Sequence, residues 1–194
     1  MAGESRCAQV VGLGRGAAPP TLVGTRCTLR ALDPADAPSI ARHADDPQVA
    51  FNLFDGFPQP YTLELARQWC ADDQRPAIYG HVFAIDVGGE AIGCCSVVPE
   101  KGWLRCNAEV GYWIGRAHWR RGIGSESLSL LSVWAWQALP ELTRLHAPIF
   151  ERNVGSQGVA RHAGYVLEGR LPMSAIKDGV IIDRVVYGLY RSRP

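Results

Sequence analysis

The sequence lacks long apolar runs and any excess of one charge. No stretch approaches the roughly 18 consecutive apolar residues that a membrane-spanning helix needs, and the N-terminus is not a basic start followed by an apolar run, so no export signal is expected. Twenty Lys and Arg residues balance nineteen Asp and Glu residues, which gives a formal net charge of +1. A nucleic-acid or membrane-surface partner is therefore disfavoured, and a cytoplasmic location is expected.

The sequence also lacks the spacings that mark metal sites and disulfide frameworks. None of the six cysteines forms a C-x-x-C pair, and the histidines form no H-E-x-x-H motif. We therefore expect no metal, and thiols buried in the core rather than disulfides. The cysteines are Cys7, Cys27, Cys70, Cys94, Cys95 and Cys106.

Length and composition favour one globular domain, because the 194 residues, 47% of them apolar, are enough for a full core. Residues 1–20 are rich in small residues and are expected to form a flexible tail, and residues 21–194 a single domain. The tail contains a G-x-G-x-x-A pattern, Gly12–Ala18, which can mark a dinucleotide-binding turn. Too few residues precede it for a buried strand, and Pro19 and Pro20 would stop the following helix, so no dinucleotide site is expected.

Periodicity and turn residues predict both strands and helices from Leu22 onward. Strands are expected at 22–31, 81–87, 91–98, 107–114 and 144–150, with two more on either side of the Asp178-Gly179 turn. Helices are expected at 34–44, 63–71, 122–139 and 156–163, with Asp33 and Thr62 as N-caps of the first two. This pattern predicts a mixed α/β (α+β) sheet with three to four flanking helices and an antiparallel C-terminal hairpin.

The most informative segment runs from Tyr112 to Glu126, where a strand leads through a basic turn into a long helix. The start of a helix offers unpaired backbone N–H groups and the positive end of the helix dipole, and Gly122 and Gly124 allow close approach, so the turn suits a phosphate. Arg120 and Arg121 add positive charge. An ordinary tight turn with solvated arginines is the alternative at this point.

Three blocks of sequence occur together in a specific order: Ala108–Ile114, Trp119–Ser127, and Asn153–Ser156 followed by His162–Tyr165. In this order they resemble the GNAT family of N-acetyltransferases, in particular its RimJ/RimL-like branch, which acetylates the N-termini of ribosomal proteins. The match runs from about Leu22 to Tyr190. The resemblance implies a mixed, mostly antiparallel twisted sheet of six to seven strands, and acetyl-CoA as co-substrate.

By this resemblance, the basic turn binds the pyrophosphate of acetyl-CoA, and the pantetheine arm pairs with the strand before the turn where that strand splays from the next. The residues implied in cofactor binding are Tyr112, Trp113, Ile114, Trp119, Arg120, Arg121, Gly122, Ile123, Gly124, Ser125, Asn153 and Ser156. Pro148 is an independent indication of the splay, because a strand tolerates proline only where its nitrogen needs no ladder hydrogen bond.

Glu109 and Ser156 are the candidate catalytic residues. Glu109 lies in an otherwise apolar strand, where a partly desolvated carboxylate is suited to take a proton from the acceptor ammonium, directly or through water. A solvent-facing strand residue is the alternative. Ala160 stands where many family members have a tyrosine, so the resemblance implies that Ser156 donates a hydrogen bond to the leaving sulfur. An ordinary N-cap is the alternative for Ser156, and the two roles are compatible.

The aromatic segment 50–61 is expected to form one wall of the acceptor site through Phe54, Phe57 and Tyr61, although core packing of at least two of these rings is the more ordinary explanation.

The expected function is acetyl-CoA-dependent transfer of an acetyl group to a primary amine, on a protein N-terminus or a small molecule, by direct attack in a ternary complex. A non-catalytic acyl-CoA-binding sensor is the alternative, and the presence of both Glu109 and Ser156 favours the enzyme. A monomer and a homodimer are both compatible with the sequence.

Overall fold

The computed structural model of the chain describes residues 19–71 and 77–191. Most of the expected tail, including the Gly12–Ala18 pattern, lies outside the described residues. The described strands are β1 (Leu22–Val23), β2 (Thr28–Arg30), β3 (His81–Val87), β4 (Glu90–Pro99), β5 (Asn107–Ile114), β6 (Arg144–Phe150), β7 (Val166–Lys177) and β8 (Val180–Tyr190). The described α-helices are α1 (Ala37–Ala44), α2 (Pro47–Ala50), α3 (Leu63–Cys70), α4 (Ile123–Ala138) and α5 (Val154–His162).

The eight strands form one sheet in the order β1-β2-β3-β4-β5-β6-β8-β7. The β5–β6 pair is parallel, and every other neighbouring pair is antiparallel. The predicted mixed, mostly antiparallel sheet is therefore confirmed, and so are the bounds of β3, β5 and β6. The predicted N-caps are also confirmed, because Asp33 Oδ1 accepts from the Ala35 N–H at 2.8 Å and Thr62 Oγ1 from the Leu65 N–H at 3.3 Å.

The number of strands and helices is higher than predicted. The expected helix at 34–44 begins as a 3-10 turn at Pro34–Asp36, and the short α2 was not predicted. Asp46 caps α2 by accepting from the Gln48 N–H at 2.8 Å. The Asp-Pro pair that starts the first helical segment thus recurs at Asp46-Pro47. This pair was a signal in the sequence from which α2 could have been predicted.

The expected strand at 22–31 is wrong, because a turn divides it into β1 and β2. The carboxylate of Glu126, in the first turn of α4, accepts the backbone N–H groups of Thr25, Arg26 and Cys27 at 2.8, 2.6 and 3.1 Å. A strand cannot point three successive N–H groups at one carboxylate, because their directions alternate in a strand. The chain therefore turns around Glu126. Although desolvation acts to raise it, the hydrogen bond from the Thr25 hydroxyl, at 2.6 Å, and those from the three N–H groups lower the pKa of the Glu126 carboxyl to about 2.

The two faces of the sheet are covered by different helices. On the α1/α3 face, helices α1 and α3 cover a cluster that includes Val82, Ala84, Cys94, Ile40 and Ala66. On the α4/α5 face, helices α4 and α5 cover a larger cluster that includes Phe83, Val97, Val110, Leu128 and Ala160. Because side chains alternate along a strand, Glu109 and Trp113 of β5 belong to the α1/α3 face, and Tyr112 belongs to the α4/α5 face.

Four cysteines lie in the core, as the sequence predicted: Cys27, Cys70, Cys94 and Cys95 are buried. Burial raises the pKa of the Cys95 thiol well above its usual range, so this side chain is an inert apolar residue at neutral pH.

Of the helices in the described ranges, none is long and apolar enough to cross a bilayer.

Replacing Glu126 with Gln is expected to lower the free energy of unfolding at pH 7 by roughly 2 kcal/mol, because the amide loses the charge that three N–H groups surround. The folded pKa lies below the ordinary 4.5, so the stabilisation is complete above that pH and is lost as pH falls toward 2. Urea unfolding between pH 2 and pH 7 should therefore show the two proteins converging in acid. Glu141→Gln, at an exposed ion pair with Arg105, is the control and should change stability by less than about 0.5 kcal/mol.

Candidate active site

The parallel strands β5 and β6 separate part-way along their length. They pair only over Asn107–Glu109 and Arg144–His146. The ladder of β5 with β4 continues to Ile114, and the ladder of β6 with β8 continues to Phe150. The sheet therefore has a gap beyond Glu109, and the backbone groups that face it have no ladder partner among the described strands. Pro148 lies in the part of β6 that borders the gap, so the predicted splay is confirmed.

A cleft of about 510 Å³ opens at this gap, within the roughly 300 to 1,000 Å³ that small-molecule sites occupy. The predicted site residues that line it are Phe54, Phe57, Tyr61, Glu109, Tyr112, Trp113, Asn153 and Ser156. The others lie outside it, along the turn between β5 and α4: Ile114, Trp119, Arg120, Arg121, Gly122, Ile123, Gly124 and Ser125. The structure thus divides the predicted site into a cleft and a turn, which β5 connects.

Glu109 occupies the last paired position of β5 before the gap, opposite Val98 of β4 and His146 of β6. Its side chain is exposed, so the desolvation expected from its apolar strand is not found. The neighbouring His146 is engaged elsewhere, since its Nε2 lies 2.8 Å from Glu100 Oε1. Within the described ranges, no group of three His, Cys, Asp or Glu side chains is placed to hold a metal ion.

Ser156 and Tyr112 form a hydroxyl pair on the α4/α5 side of the cleft. The Ser156 hydroxyl donates to the Tyr112 oxygen at 2.7 Å, and the Tyr112 hydroxyl donates to the Ser156 carbonyl at 2.9 Å. Burial raises the pKa of the Tyr112 phenol to about 12, against the lowering effect of the Ser156 hydroxyl. The phenol therefore keeps its proton at neutral pH. The sequence did not predict this role for Tyr112, because 44 residues separate the pair.

The N-cap interpretation of Ser156 is wrong. Helix α5 begins at Val154, and its N-cap is Asn153, whose Oδ1 accepts from the Ser156 N–H at 3.0 Å. Because Asn153 already fills the N-cap position, the Ser156 hydroxyl is not needed to cap the start of the helix. It is directed to Tyr112 in the cleft instead.

The turn before α4 has an unusual backbone. Arg120 and Gly122 both have left-handed conformations, with φ of 61° and 75°, and no side chain of the described residues caps the first turn of α4 at Gly122. Left-handed residues next to a helix start gather backbone N–H groups into a concave site for an anion. Such a conformation costs free energy at Arg120, and it is typical of functional turns.

Two side chains support this turn. The Trp119 indole donates to the Ile114 carbonyl at 2.7 Å and so ties the turn to the end of β5. Arg26, which the sequence did not single out, lies next to the start of α4, since a Cβ added at Gly122 would be 3.1 Å from Arg26 Nε. Arg120 and Arg121 are exposed on the same turn, so three arginine residues lie at or beside the start of α4.

The structure gives Gly124 a role in helix packing, whereas the sequence suggested only close approach of a ligand. A Cβ there would be 3.0 Å from Val159 Cγ2 and 3.4 Å from Ile114 Cδ1, so the missing side chain lets α4 approach α5 and the end of β5. The missing side chain would point toward the core. Its substitution should therefore act first on packing.

Comparisons with known proteins agree with this geometry. Residues 26–166 match the family model described as the acetyltransferase (GNAT) domain. An uncharacterized N-acetyltransferase, p20 of Bacillus licheniformis, is 28% identical over 181 residues, which cover 88% of this chain and 96% of the relative. The resemblance noted in the sequence is thereby confirmed.

Solved structures of ribosomal acetyltransferases have a similar fold. RimL, a ribosomal alpha-N-protein acetyltransferase in complex with coenzyme A, has a TM-score of 0.75 at 22% identity, over 90% of this chain and 98% of RimL. Mycobacterium smegmatis RimJ, in complex with CoA-disulfide, has a TM-score of 0.74 at 22% identity, over 89% of this chain and 88% of RimJ. The expected sheet is confirmed by these matches, with eight strands instead of six or seven.

Substitution of Gly124 with Val is expected to lower the free energy of unfolding by about 1 to 3 kcal/mol, because the new methyl groups would overlap Val159. Thermal or urea unfolding measures the change. Gly169→Val is the matched control, since a Cβ at Gly169 would meet no atom within 4 Å. Equal stability of the two variants would contradict the packing role given to Gly124.

Proposed function

Because the chain belongs to the GNAT family of N-acetyltransferases, we propose that it transfers the acetyl group of acetyl-CoA to a primary amine by direct attack in a ternary complex. The gap between β5 and β6 carries this proposal, since it leaves backbone groups in the middle of a sheet without ladder partners. Unpaired backbone groups inside a sheet favour a ligand with amides of its own, and the pantetheine arm of acetyl-CoA has them. CoA in the solved RimL and RimJ structures supports the same assignment.

The turn fits the pyrophosphate end of acetyl-CoA. In this proposal the N–H groups at Ile123, Gly124 and Ser125 bind phosphate oxygens, and Arg120 and Arg121 supply charge-assisted contacts. The uncapped start of α4 and the left-handed residues before it support this placement.

The pantetheine arm then follows β5 toward the cleft. Tyr112, Trp113 and Ile114 present their backbone to it. Asn153, whose Oδ1 caps α5, donates through its side-chain amide to a pantetheine carbonyl. This path brings the thioester to the gap between Glu109 and Ser156.

The two catalytic groups act from opposite faces of the sheet. On the α1/α3 face, Glu109 accepts a proton from the acceptor ammonium, directly or through water, so that the neutral nitrogen can attack the acetyl carbon. On the α4/α5 face, the Ser156 hydroxyl, whose proton points to Tyr112 before the thioester arrives, turns to donate a hydrogen bond to the sulfur as the carbon–sulfur bond breaks. The second proton, which the nitrogen loses as the amide forms, goes to the thiolate that leaves. The exposure of Glu109 supports a base that reaches both amine and solvent, which then receives the proton.

The developing charge on the acetyl oxygen also needs a donor. The backbone N–H of Tyr112 serves as that donor in this proposal, because N–H directions alternate along β5 and the Gly115 N–H donates to Ile92 of β4, which puts the Trp113 N–H on the β4 side as well. Tyr112 adds a positioning role, because its phenol lies 2.7 Å from the Ser156 oxygen and stays beside that hydroxyl when the serine proton turns to the sulfur.

Titration with acetyl-CoA, followed by a free-thiol assay over a panel of peptides and small amines, tests the proposal. Acetyl-CoA binding together with amine-dependent thiol release supports the enzyme. Binding without thiol release on any acceptor supports the acyl-CoA sensor instead. Absence of acetyl-CoA binding would contradict both.

Glu109→Gln is expected to lower kcat by about 100-fold or more, because the amide cannot take the proton. The Kd for acetyl-CoA should stay within about twofold, since the base is on the acceptor side of the gap. Steady-state kinetics at saturating substrates and calorimetric titration measure the two quantities. Glu141→Gln, on the surface, should leave both unchanged; unchanged turnover in Glu109→Gln would remove Glu109 from its role.

Ser156→Ala is expected to lower kcat by about 10-fold or more through loss of the hydrogen bond to sulfur. Tyr112→Phe should have a smaller effect, since Tyr112 acts only by positioning Ser156. In the double variant the two effects should not add, because removal of the Ser156 hydroxyl leaves Tyr112 nothing to position. A double-mutant cycle on kcat measures the coupling, and independent, additive losses would show that the hydroxyl pair has no joint role.

A further inference from the structure

The part of the cleft on the α1/α3 face is built mainly from aromatic rings. The Phe57 ring centroid lies 5.0 Å from that of Tyr61 and 5.8 Å, edge-on, from that of Trp113. Trp69 and Tyr79 form a second edge-on pair at 4.9 Å. All five rings line the cleft. Edge-on and tilted ring contacts hold these side chains in defined positions, so the wall is preformed.

Large apolar side chains at the same cleft are left in contact with solvent. Phe54 is 50% exposed and Ile78 is 74% exposed, and both line the cleft. Exposed apolar surface beside a preformed pocket is typical of a ligand-binding surface. An apolar ligand that covered these two residues would gain binding free energy from the buried area.

Charged groups are scarce at the cleft. Of the described residues that line it, only Glu109 and Arg184 carry a charge, and Arg184 Nε donates to Ser174 Oγ at 3.2 Å. A polar group packed against the faces of the rings would lose its hydration without gaining partners there, whereas Asn52, whose buried Oδ1 has no hydrogen-bond partner among the described residues, lines the cleft as well. The ring-lined part of the cleft therefore favours an apolar group over a hydroxylated one.

Gly111 lies on β5 between Trp113 of the aromatic wall and Glu109, the proposed base. Glu109, Gly111 and Trp113 alternate onto the same face of β5. A Cβ added at Gly111 would meet only Ser96 Oγ within 4 Å, at 3.4 Å. The missing side chain thus leaves room between the carboxylate of Glu109 and the aromatic wall.

We propose that the acceptor is a primary amine with an aromatic ring a few bonds from its nitrogen. The ring packs among Phe57, Trp69 and Tyr79, and the amine lies beside Glu109. The inference rests on the proposed function for the reaction, but binding of such an amine can be measured without turnover. A free aromatic amine and a peptide with an N-terminal aromatic residue share this chemistry.

Two matched pairs of acceptors test the inference on the full chain: phenethylamine against ethanolamine, and a Phe-Ala-Ala peptide against a Ser-Ala-Ala peptide. Calorimetric titration in the presence of CoA measures binding without turnover, and thiol release from acetyl-CoA measures kcat/KM. The aromatic member of at least one pair is expected to bind about 10-fold or more tightly and to have a kcat/KM higher by a similar factor. Preference within the amine pair alone points to a small-molecule acceptor, and preference within the peptide pair to a protein N-terminus.

Variants of the wall provide a second test. Phe57→Ala should weaken phenethylamine binding about 10-fold, with its folding checked by thermal unfolding. Phe54→Ala, at an exposed side chain whose loss should not disturb the core, should weaken it by about threefold or more. Trp103→Ala, at a ring that is 85% exposed and outside the cleft, is the control and should bind normally.

Failure of the inference and failure of the proposed function can be distinguished. Equal binding and equal kcat/KM within both pairs would overturn the inference, while thiol release would still support acetyl transfer. Tighter binding of the aromatic members without thiol release from any acceptor would contradict acetyl transfer. It would still support a primary amine with an aromatic ring as the ligand. Normal phenethylamine binding by both Phe54→Ala and Phe57→Ala would overturn the placement of the ring.

Discussion

The loss of pairing between β5 and β6 is the constraint on which the rest of the site depends. Both strands are held on their outer sides by β4 and β8, so neither is free to move sideways and close the gap. Pro148 adds a local reason, because it has no N–H to contribute to a ladder. Backbone groups between two fixed strands would remain without partners, and pairing them favours a ligand that behaves chemically like a short strand.

The alternation of side chains along β5 converts this gap into a two-sided site. Glu109 and Tyr112 are an odd number of residues apart, so they face opposite sides of the sheet. Glu109, the proposed proton acceptor, and the hydroxyl pair of Tyr112 and Ser156, the proposed sulfur-side group, therefore border the same gap without contacting each other. Because they are separated, the Glu109 carboxylate does not accept a hydrogen bond from either hydroxyl. Such a bond would keep the carboxylate from the amine and the hydroxyl from the sulfur.

Local rules predicted the elements well and the contacts between distant segments poorly. β5 and β6 were predicted with the right bounds because each is a run of strand-forming residues between clear turn signals. The break between β1 and β2 was not predictable, since it depends on Glu126, about 100 residues away along the chain. The blocks around Gly122 and Asn153 located the site, but the Tyr112–Ser156 pair and the position of Arg26 exist only in the folded chain. The packing of Gly124 was not predictable either, because its neighbour Val159 belongs to another helix.

The hydrogen bonds of Glu126 have an electrostatic consequence for the turn. An acidic side chain in the first turn of a helix is usually the counter-charge of the helix dipole, and as such it would compete with an arriving anion. Here three amides of the β1–β2 turn occupy the carboxylate, and the Arg26 guanidinium lies 4.0 Å from it. Backbone N–H groups from the edge of the sheet thus bind the Glu126 carboxylate, and the positive end of the α4 dipole is left available to the anion that is proposed to bind there.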